Sequence, residues 1–418
     1  MPTGRPVAYV DGMLEQAWRI DAPHAFAELV RSGGPVVYVS ELDLWLVAGY
    51  EACAQVLGRP EIFSSRESLS YGHAFRDETI RELLREGPGY PRVSTLVFAD
   101  PPVHDRYRAI LASVLGPVTK ASRIAPAIER IVQHLIDGFA GRGRCEFISE
   151  FANPLPIAVI GDVLGVPSAD FARLRTWSDA FIDVQMSSAG GERLRECAEA
   201  VLDFERYITE AVEARRREPR HDLLTGLSAA RDDRGRGLSR QELISLIQQL
   251  LVGGNETTRN FLGNAIWRLA TDRELRSGLV ANPRQIPRAA EELLRLEAPL
   301  QGVFRIATNE AAVAGVTIPA GAKLMVMLGA ANQDPQRFQP GFSVEHASAS
   351  THLAFGKGIH GCIGAPLARL EIRIAVAALV LRLPGLRLEE GHHLERLPLI
   401  AIRGFKELWL RFDTSAGG

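Results

Sequence analysis

Apolar side chains recur with helical periodicity over the middle of the chain, from Glu51 to Asp272. Short β-type runs flank this stretch, in residues 35–48, 311–328 and 386–412. The first of these runs is predicted to be a short hairpin, and the second to include a strand at Ala311–Ile318. No repeat or linker-like segment separates these blocks. The pattern therefore predicts a mainly α fold with a minor β part drawn from both ends of the chain, and we expect residues 1–418 to form a single large domain.

The composition is typical of a globular protein that binds neither nucleic acid nor a membrane. The 418 residues are 46% hydrophobic and carry 48 basic against 50 acidic side chains, a net charge of −2. No apolar run reaches the roughly 18 residues of a membrane span, and the first residues lack a secretory pattern. Four cysteines lie far apart without C-x-x-C spacing, which favours reduced thiols: Cys53, Cys145, Cys197 and Cys362. We therefore expect a cytoplasmic protein.

A long helix is predicted from near Ser239 to about Ala270. It opens with the S-x-x-E capping box that ends at Glu242, and at about 1.5 Å per residue it spans roughly 45 Å. Gly253 and Gly254 stand in its middle, where each glycine costs about 1 kcal/mol relative to alanine. Two explanations are open: a local opening of the helix that makes room for a ligand, or a close contact with another helix.

Cys362 lies in a glycine-rich segment that runs from Phe355 to Gly364. Ala365-Pro366 and a helical pattern follow, so the thiol stands at the start of a helix, where amide N–H groups lower the pKa of a cysteine. The glycines let backbone approach a flat ligand, and Phe355 can screen the sulfur from water. The segment suits a metal-bound thiolate. The alternatives are a buried structural cysteine and a dinucleotide fingerprint, because Gly356–Gly361 also reads G-x-G-x-x-G.

This segment closely resembles the haem-binding signature of the cytochrome P450 family. Further motifs of that family occur in the family's order: D-P-P-x-H-x-x-x-R at Asp100–Arg108, the acid–alcohol pair Glu256-Thr257, E-x-x-R at Glu292–Arg295, and Arg305. The resemblance implies a single P450-type domain with haem b between the long central helix and the Cys-bearing loop, and Cys362 as axial ligand of the iron. The residues implied in cofactor binding are His104, Arg108, Arg305, His360, Phe355, Gly356, Gly358, Gly364, Gly253 and Gly254.

The resemblance also implies roles for the remaining motifs. Thr257 would hydrogen-bond dioxygen, and Glu256 would relay protons towards it. Glu292 and Arg295 would form a buried structural pair on the thiolate side of the haem. The family usually adds an arginine shortly before the Cys loop, and here Arg337 or His346 are the candidates for that third partner.

The implied reaction is that of a haem-thiolate monooxygenase, which inserts one oxygen atom of O2 into a small lipophilic molecule by hydroxylation, epoxidation or O-dealkylation. Electrons would come from NAD(P)H through a ferredoxin reductase and a ferredoxin, and we expect a monomer. The basic residues that could meet the ferredoxin, unless they are only solvated surface charges, are Lys357, Arg106, Lys120 and Arg369. The positions that match the family's substrate pocket are Gln249, Val252, Leu300, Gln301, Val303, Ala401 and Ile402.

Three other functions remain open from the sequence. The first is a haem-thiolate binding or sensor protein without turnover. The second is a peroxide-driven haem enzyme, against which the Glu256-Thr257 pair argues. The third is a nucleotide-dependent dehydrogenase, which would purify without colour.

Overall fold

Helices make up most of the chain, as the periodicity predicts. The computed structural model describes residues 33–66, 68, 78–186, 191–344, 352–397 and 399–414. The α-helices within these residues are α1 (Tyr50–Leu57), α2 (Glu78–Arg85), α3 (Val103–Val118), α4 (Ala121–Ala140), α5 (Pro154–Leu164), α6 (Phe171–Met186), α7 (Gly191–Arg217), α8 (Leu223–Ala229), α9 (Arg240–Thr271), α10 (Arg273–Ala281), α11 (Ile286–Leu296), α12 (Leu328–Ala331) and α13 (Ala365–Arg382). The strands are β1 (Val36–Val39), β2 (Leu44–Val47), β3 (Phe63–Ser64), β4 (Arg144–Glu146), β5 (Val303–Ala307), β6 (Ala311–Val313), β7 (Val316–Ile318), β8 (Lys323–Val326), β9 (Arg387–Leu388) and β10 (Trp409–Arg411). The predicted mainly α class with a minor β part is confirmed.

The chain divides into two compact units. The first contains the residues up to 64, residues 128–155 and the residues from 257 onward, and the second contains residues 65–127 and 156–256. The prediction that residues 1–418 form one domain stays a prediction.

The first unit holds all the strands of the described residues. Its main sheet has the order β1-β2-β8-β5-β3, in which β2 and β8 are parallel and the other pairs are antiparallel. A second sheet has the order β4-β10-β9, and β6 and β7 form a hairpin. Val47, Phe63 and Leu324 are fully buried in the core against the main sheet. β1 and β2 confirm the N-terminal hairpin that the sequence predicts.

The run from Ala311 to Ile318 is not one strand, as its composition suggests, but a tight hairpin. Ala314 and Gly315 turn the chain with φ of 47° and 80°, a left-handed conformation that reverses direction within two residues. Alternation of apolar residues continues through such a turn, which is why the sequence pattern does not reveal it.

The described residues of the second unit form helices joined by loops, without a strand. α6 and α7 pack along each other, and α2 and α8 also contact α7. Trp177, 1% exposed, meets Phe204 edge-on with ring centroids 5.6 Å apart, and Phe181 packs against the same ring at 5.0 Å. These aromatic contacts bury the facing sides of α6 and α7.

The long helix α9 begins and ends within one residue of the prediction. Both hydrogen bonds of the capping box form: Ser239 N donates to Glu242 Oε2 at 2.7 Å, and Glu242 N donates to Ser239 Oγ at 3.2 Å. The predicted start signal is therefore confirmed in its physical detail. No helix in the described residues is long and apolar enough to cross a membrane.

Candidate active site

The loop before α13 presents the thiol of Cys362 at a helix N-terminus. Gly356 and Gly358 have φ of 68° and 70°, and a short 3-10 turn, Gly358–His360, leads to the cysteine. Cys362 N donates to Phe355 O at 2.8 Å, which closes the loop on itself. Pro366 occupies the first turn of α13, as predicted.

Cys362 differs from the other cysteines in its exposure. Cys53, Cys145 and Cys197 are buried, whereas Cys362 is exposed at the surface of its unit. Burial raises the pKa of the Cys53 and Cys145 thiols far above the ordinary value. The interpretation of Cys362 as a buried structural cysteine is therefore wrong.

The dinucleotide interpretation of Gly356–Gly361 lacks its structural context. Residues 352–357, which lead into the segment, are not a strand, so the described residues do not form the strand–turn–helix that the fingerprint requires. Gly358 has a different reason to be glycine, because a Cβ there would clash with the carbonyl oxygen of Leu57. A Cβ at Gly364 would lie 3.8 Å from the Cys362 sulfur.

Glu292 and Arg295 form the buried pair that the sequence predicts. Arg295 donates from Nε and Nη2 to the two carboxylate oxygens of Glu292 at 2.9 and 2.6 Å, and the side chains are 3% and 1% exposed. The same guanidinium donates to Asn332 O at 2.7 Å and to Gly341 O at 3.0 Å. Asn332 Oδ1 in turn accepts from Leu353 N at 2.6 Å, next to the Cys loop. The pair thus fixes the segment that enters the loop.

Backbone groups among the described residues bind the Glu292–Arg295 pair close in sequence to where the third arginine is expected. Ser343 N donates to Glu292 Oε1 at 3.2 Å, beside the Arg295 contact to Gly341. Arg337 instead stacks its guanidinium on Tyr50, 5.2 Å from the ring centroid. His346 lies outside the described residues.

Two of the predicted cofactor-binding cations lie in the first unit. Arg305 is on β5 opposite Leu324 of β8, is 8% exposed, and donates from Nη1 to Phe304 O at 2.6 Å. His360 is partly buried at the end of the 3-10 turn, two residues before Cys362. The pairing of β5 with β8 fixes the backbone of Arg305, and the Cys loop fixes the backbone of His360.

The other two predicted cations lie on α3 of the second unit. His104 is 1% exposed with Nδ1 3.0 Å from Asp105 Oδ1, and Arg108 follows one turn later, partly buried. The spacing places both residues on one helix face.

The sequence did not reveal what holds the start of α3. Arg106 donates to Asp232 at 2.8 Å, to Glu242 at 2.6 Å and to Gly237 O at 2.8 Å, and Tyr107 donates to Glu242 at 2.9 Å. Burial alone would raise the pKa of Glu242, but hydrogen bonds from Ser239 N–H, Arg106 and Tyr107 outweigh it and lower the pKa. The capping-box acid of α9 thus also anchors α3.

The middle of α9 answers the question raised by its two glycines. The helix is continuous there, and a Cβ at Gly254 would lie 3.4 Å from Ile160 Cδ1, an ordinary packing distance. Gly253 is exposed, and a Cβ there would meet no atom within 4 Å. Gly254 therefore fits the explanation by close contact with another helix. Gly253 instead leaves the helix backbone uncovered by a side chain at its position. The opening of the helix that the ligand explanation invoked is not seen.

The four residues after the glycines are buried or partly buried. Glu256 is 4% exposed and Thr257 is partly buried, while Asn255 donates to Ser178 Oγ at 2.9 Å. Thr258 is 4% exposed, in keeping with a packing role.

Five predicted substrate-pocket residues lie in the first unit. Leu300 and Ile402 form an isolated antiparallel bridge, and Gln301 N donates to Ala401 O at 2.7 Å. The Gln301 amide is turned inward, 4% exposed, and donates to Ala298 O at 2.6 Å. Val303 begins β5 and is partly buried.

The other two predicted pocket residues lie on α9 in the second unit and are partly buried. Gln249 accepts from Val97 N at 3.1 Å and donates to Thr95 O at 3.2 Å, so its amide holds residues 95–97. Val252 lies three residues further along the helix.

The four predicted docking cations divide into two pairs. Lys357 and Lys120 are exposed. Arg106 is engaged by Asp232 and Glu242, and Arg369 by Glu291, with side chains 17% and 23% exposed. Both arginines therefore act mainly within the chain.

Two acids in the interior escaped the sequence analysis. Glu291, one residue before the predicted Glu292, binds Arg369 and His352. Glu205 on α7, 1% exposed, accepts from Gly89 N at 3.0 Å and from Arg92 at 2.9 Å. Burial raises the pKa of Glu205, against the opposing effect of Arg92. Their sequence neighbourhoods look like ordinary charged helix faces, so no pattern could have selected them.

Comparison with known proteins gives a consistent result. The family model described as Cytochrome P450 matches residues 286–384. Cytochrome P450 107B1 of Saccharopolyspora erythraea is 36% identical over 84% of each chain, and the mycinamicin IV hydroxylase/epoxidase of Micromonospora griseorubida is 36% identical over 83% of each. The crystal structure of P450BioI, in complex with an acyl carrier protein ligated to hexadec-9Z-enoic acid, is 30% identical with a TM-score of 0.82, over 96% of this chain and all of that one. On these similarities, this chain belongs to the cytochrome P450 family.

Proposed function

We propose that this cytochrome P450 is a monooxygenase that inserts one oxygen atom of O2 into a small lipophilic molecule, with Cys362 as the axial ligand of the haem iron. Haem b is the cofactor of the family, and when bound it supplies the activation of dioxygen. The observation that carries the residue assignment is the exposed Cys362 thiol at the N-terminus of α13, in a chain whose other cysteines are buried.

The residues present fit this cofactor. A thiolate is the ligand of P450 iron, and Cys362 offers its sulfur from a loop closed by the hydrogen bond to Phe355 O. The exposed face of α9 at Gly253 leaves space that a side chain would fill. His104, Arg108, Arg305 and His360 supply donors suited to two propionates.

Each further residue has a chemical role in the proposal. Glu256 moves protons at its carboxylate, and Thr257 holds a proton at its hydroxyl for delivery towards oxygen. Phe355 screens the Cys362 sulfur from water. Glu292 and Arg295 hold the residues that lead into the Cys loop. Five glycines let the backbone lie close to the haem or to neighbouring residues: Gly356, Gly358, Gly364, Gly253 and Gly254.

The proposed substrate is lipophilic, and the outcome is hydroxylation, epoxidation or O-dealkylation. Its support is the apolar character of Val252, Leu300, Val303, Ala401 and Ile402, together with the named activity of the mycinamicin relative. Gln249 and Gln301 are the polar members of this set. Since both amides already bind protein atoms, we expect the substrate to be recognised mainly by shape.

We also propose that a ferredoxin and its reductase deliver electrons from NAD(P)H to a monomer in the cytoplasm, and that residues 1–418 form one domain. The support for the electron donor is the absence of a flavin or iron–sulfur motif in the sequence. Lys357 and Lys120 are the exposed cations available to an acidic partner. No disulfide joins the four cysteines, all of which lie in the described residues, and this fits a reducing compartment.

The test is the absorption spectrum of the reduced protein treated with carbon monoxide. We expect the spectral signature of a thiolate ligand in the wild type and its loss in Cys362→Ser, with Cys197→Ser as control. A reconstituted ferredoxin chain and a library of lipophilic compounds, screened for spin-state shifts and then for product, test the reaction. An unchanged spectrum in Cys362→Ser would overturn the ligand assignment, and NADH consumption without product for every spin-shifting compound would favour a binding protein.

A further inference from the structure

Phe355 is held from outside the Cys loop by three side chains of the first unit. Glu291 on α11 accepts from Arg369 Nε at 2.8 Å and lies 3.1 Å from His352 Nε2. Arg369 on α13 places its guanidinium carbon 4.3 Å from the centre of the Phe355 ring. The ring of His352 lies 6.3 Å from the same ring. Glu291 therefore holds both Arg369 and His352, the two side chains that contact the Phe355 ring.

The hydrogen bonds fix the charge of this group. Ala354 N donates to His352 Nδ1 at 3.3 Å, so this nitrogen is the acceptor, and Nε2 carries the proton that His352 donates to Glu291. The imidazole is thus neutral, and the group contains one positive and one negative charge. The side chains of His352, Glu291 and Arg369 are 2%, 13% and 23% exposed, so solvent screens these charges only in part.

Two consecutive acids of α11 act on the same short segment from different sides. Glu292 reaches Leu353 through Arg295 and Asn332, whereas Glu291 reaches His352 directly and Phe355 through Arg369. Since Phe355 O accepts the Cys362 N–H, a shift of Phe355 moves the backbone of the proposed iron ligand.

We propose that Glu291, Arg369 and His352 form a charge-balanced clamp that positions Phe355 and sets the reduction potential of the haem iron. The proposal rests on the proposed function, because it takes Cys362 as the iron ligand. The positive charge of Arg369 favours the electron that reduces the iron, and the negative charge of Glu291 opposes it. Arg369 is thereby a positioning residue and not a docking cation.

The test is a spectroelectrochemical titration of the haem-loaded protein with redox mediators, which needs neither ferredoxin nor substrate. Arg369→Met leaves the Glu291 charge unbalanced and should lower the reduction potential. Glu291→Gln leaves the Arg369 charge unbalanced and should raise it. We expect each change to alter the ferrous-to-ferric ratio at fixed potential roughly tenfold, which corresponds to about 59 mV for one electron. The double variant should return close to the wild type.

Arg373→Met is the matched control. Arg373 lies one turn further along α13, is exposed, and donates to Arg369 O at 3.2 Å, so its removal takes the same charge from the same helix. It should leave the potential unchanged. If both clamp variants shift the potential in the same direction, as loosened packing around the sulfur would do, or no more than Arg373→Met, the clamp is wrong. Failure of the proposed function would look different, since the wild type itself would then lack the thiolate signature.

Discussion

The buried pair Glu292–Arg295 gives a stability prediction whose size follows from its contacts. Arg295→Ala removes four hydrogen bonds: two to the Glu292 carboxylate, one to Asn332 O and one to Gly341 O. It leaves the Glu292 carboxylate, 1% exposed, without its guanidinium. Removal of one partner of a buried ion pair costs about 3–5 kcal/mol, because the remaining charge stays desolvated. We expect the free energy of unfolding to fall by about 4 kcal/mol.

The chain contains a matched control on α7. Glu213 and Arg216 have the same order and the same i,i+3 spacing, with a nitrogen–oxygen distance of 2.6 Å, but their side chains are 44% and 46% exposed. Water screens this pair, so Arg216→Ala should cost less than about 1 kcal/mol. The difference between the two variants isolates the effect of burial from that of spacing.

The assay is urea denaturation followed by far-ultraviolet circular dichroism at equal haem loading, with the slope of the transition checked for constancy. Arg295→Lys keeps the positive charge but loses the planar guanidinium, and we expect it to lower the free energy of unfolding by about 2 kcal/mol. This variant replaces Arg295→Ala in the assay if Arg295→Ala yields too little folded protein. Equal losses for Arg295→Ala and Arg216→Ala would refute the reasoning, as would an Arg295→Lys variant as stable as the wild type.

Three further predictions concern protons and the cofactor. Thr257→Ala should retain haem but divert reducing equivalents to hydrogen peroxide, measured as peroxide formed per NADH consumed, and unchanged coupling would remove the proton-holding role. Arg108→Ala should speed the transfer of haem to apomyoglobin several-fold, and transfer at the wild-type rate would take Arg108 out of the propionate set. Burial raises the pKa of Glu371 to about 8 from the ordinary 4.5, so the folded state keeps a proton that the unfolded chain releases. The free energy of unfolding should therefore fall by up to about 1.4 kcal/mol per pH unit as the pH rises from 4.5 to 8. Urea titrations of Glu371→Gln should show a flatter dependence on pH. If the variant shows an equally steep dependence, groups other than Glu371 cause it.

The sequence predicted best those features whose signals are local. The capping box at Ser239–Glu242, the proline that opens α13 and the hairpin β1–β2 each depend on residues within a few positions of one another. Their geometry follows from short-range sterics and hydrogen bonding, so they appeared where expected. The contact between Glu292 and Arg295 belongs here too, because their spacing places both side chains on one helix face, whereas their burial was implied only by the resemblance to the cytochrome P450 family.

What the sequence could not predict depends on contacts between distant segments. Arg369 looked like a surface charge because nothing near it in sequence shows that Glu291, 78 positions away, receives it. The contacts of Arg106 could not be predicted for the same reason, since its partners Asp232 and Glu242 lie more than a hundred positions downstream. One contact of Glu292 could not be predicted from residue types at all, because it comes from the backbone N–H of Ser343.

The contact between Glu205 and the turn at residues 87–89 constrains how this part of the chain can change. A methyl group at Gly89 would lie 2.5 Å from Glu205 Oε1, and one at Gly87 would clash with Oε2 and with Leu202. A side chain at either glycine therefore requires the Glu205 carboxylate to move, and with it the hydrogen bonds that it accepts from Gly89 N and Arg92. The chain conformation of the turn and the side chain at position 205 are thus constrained together.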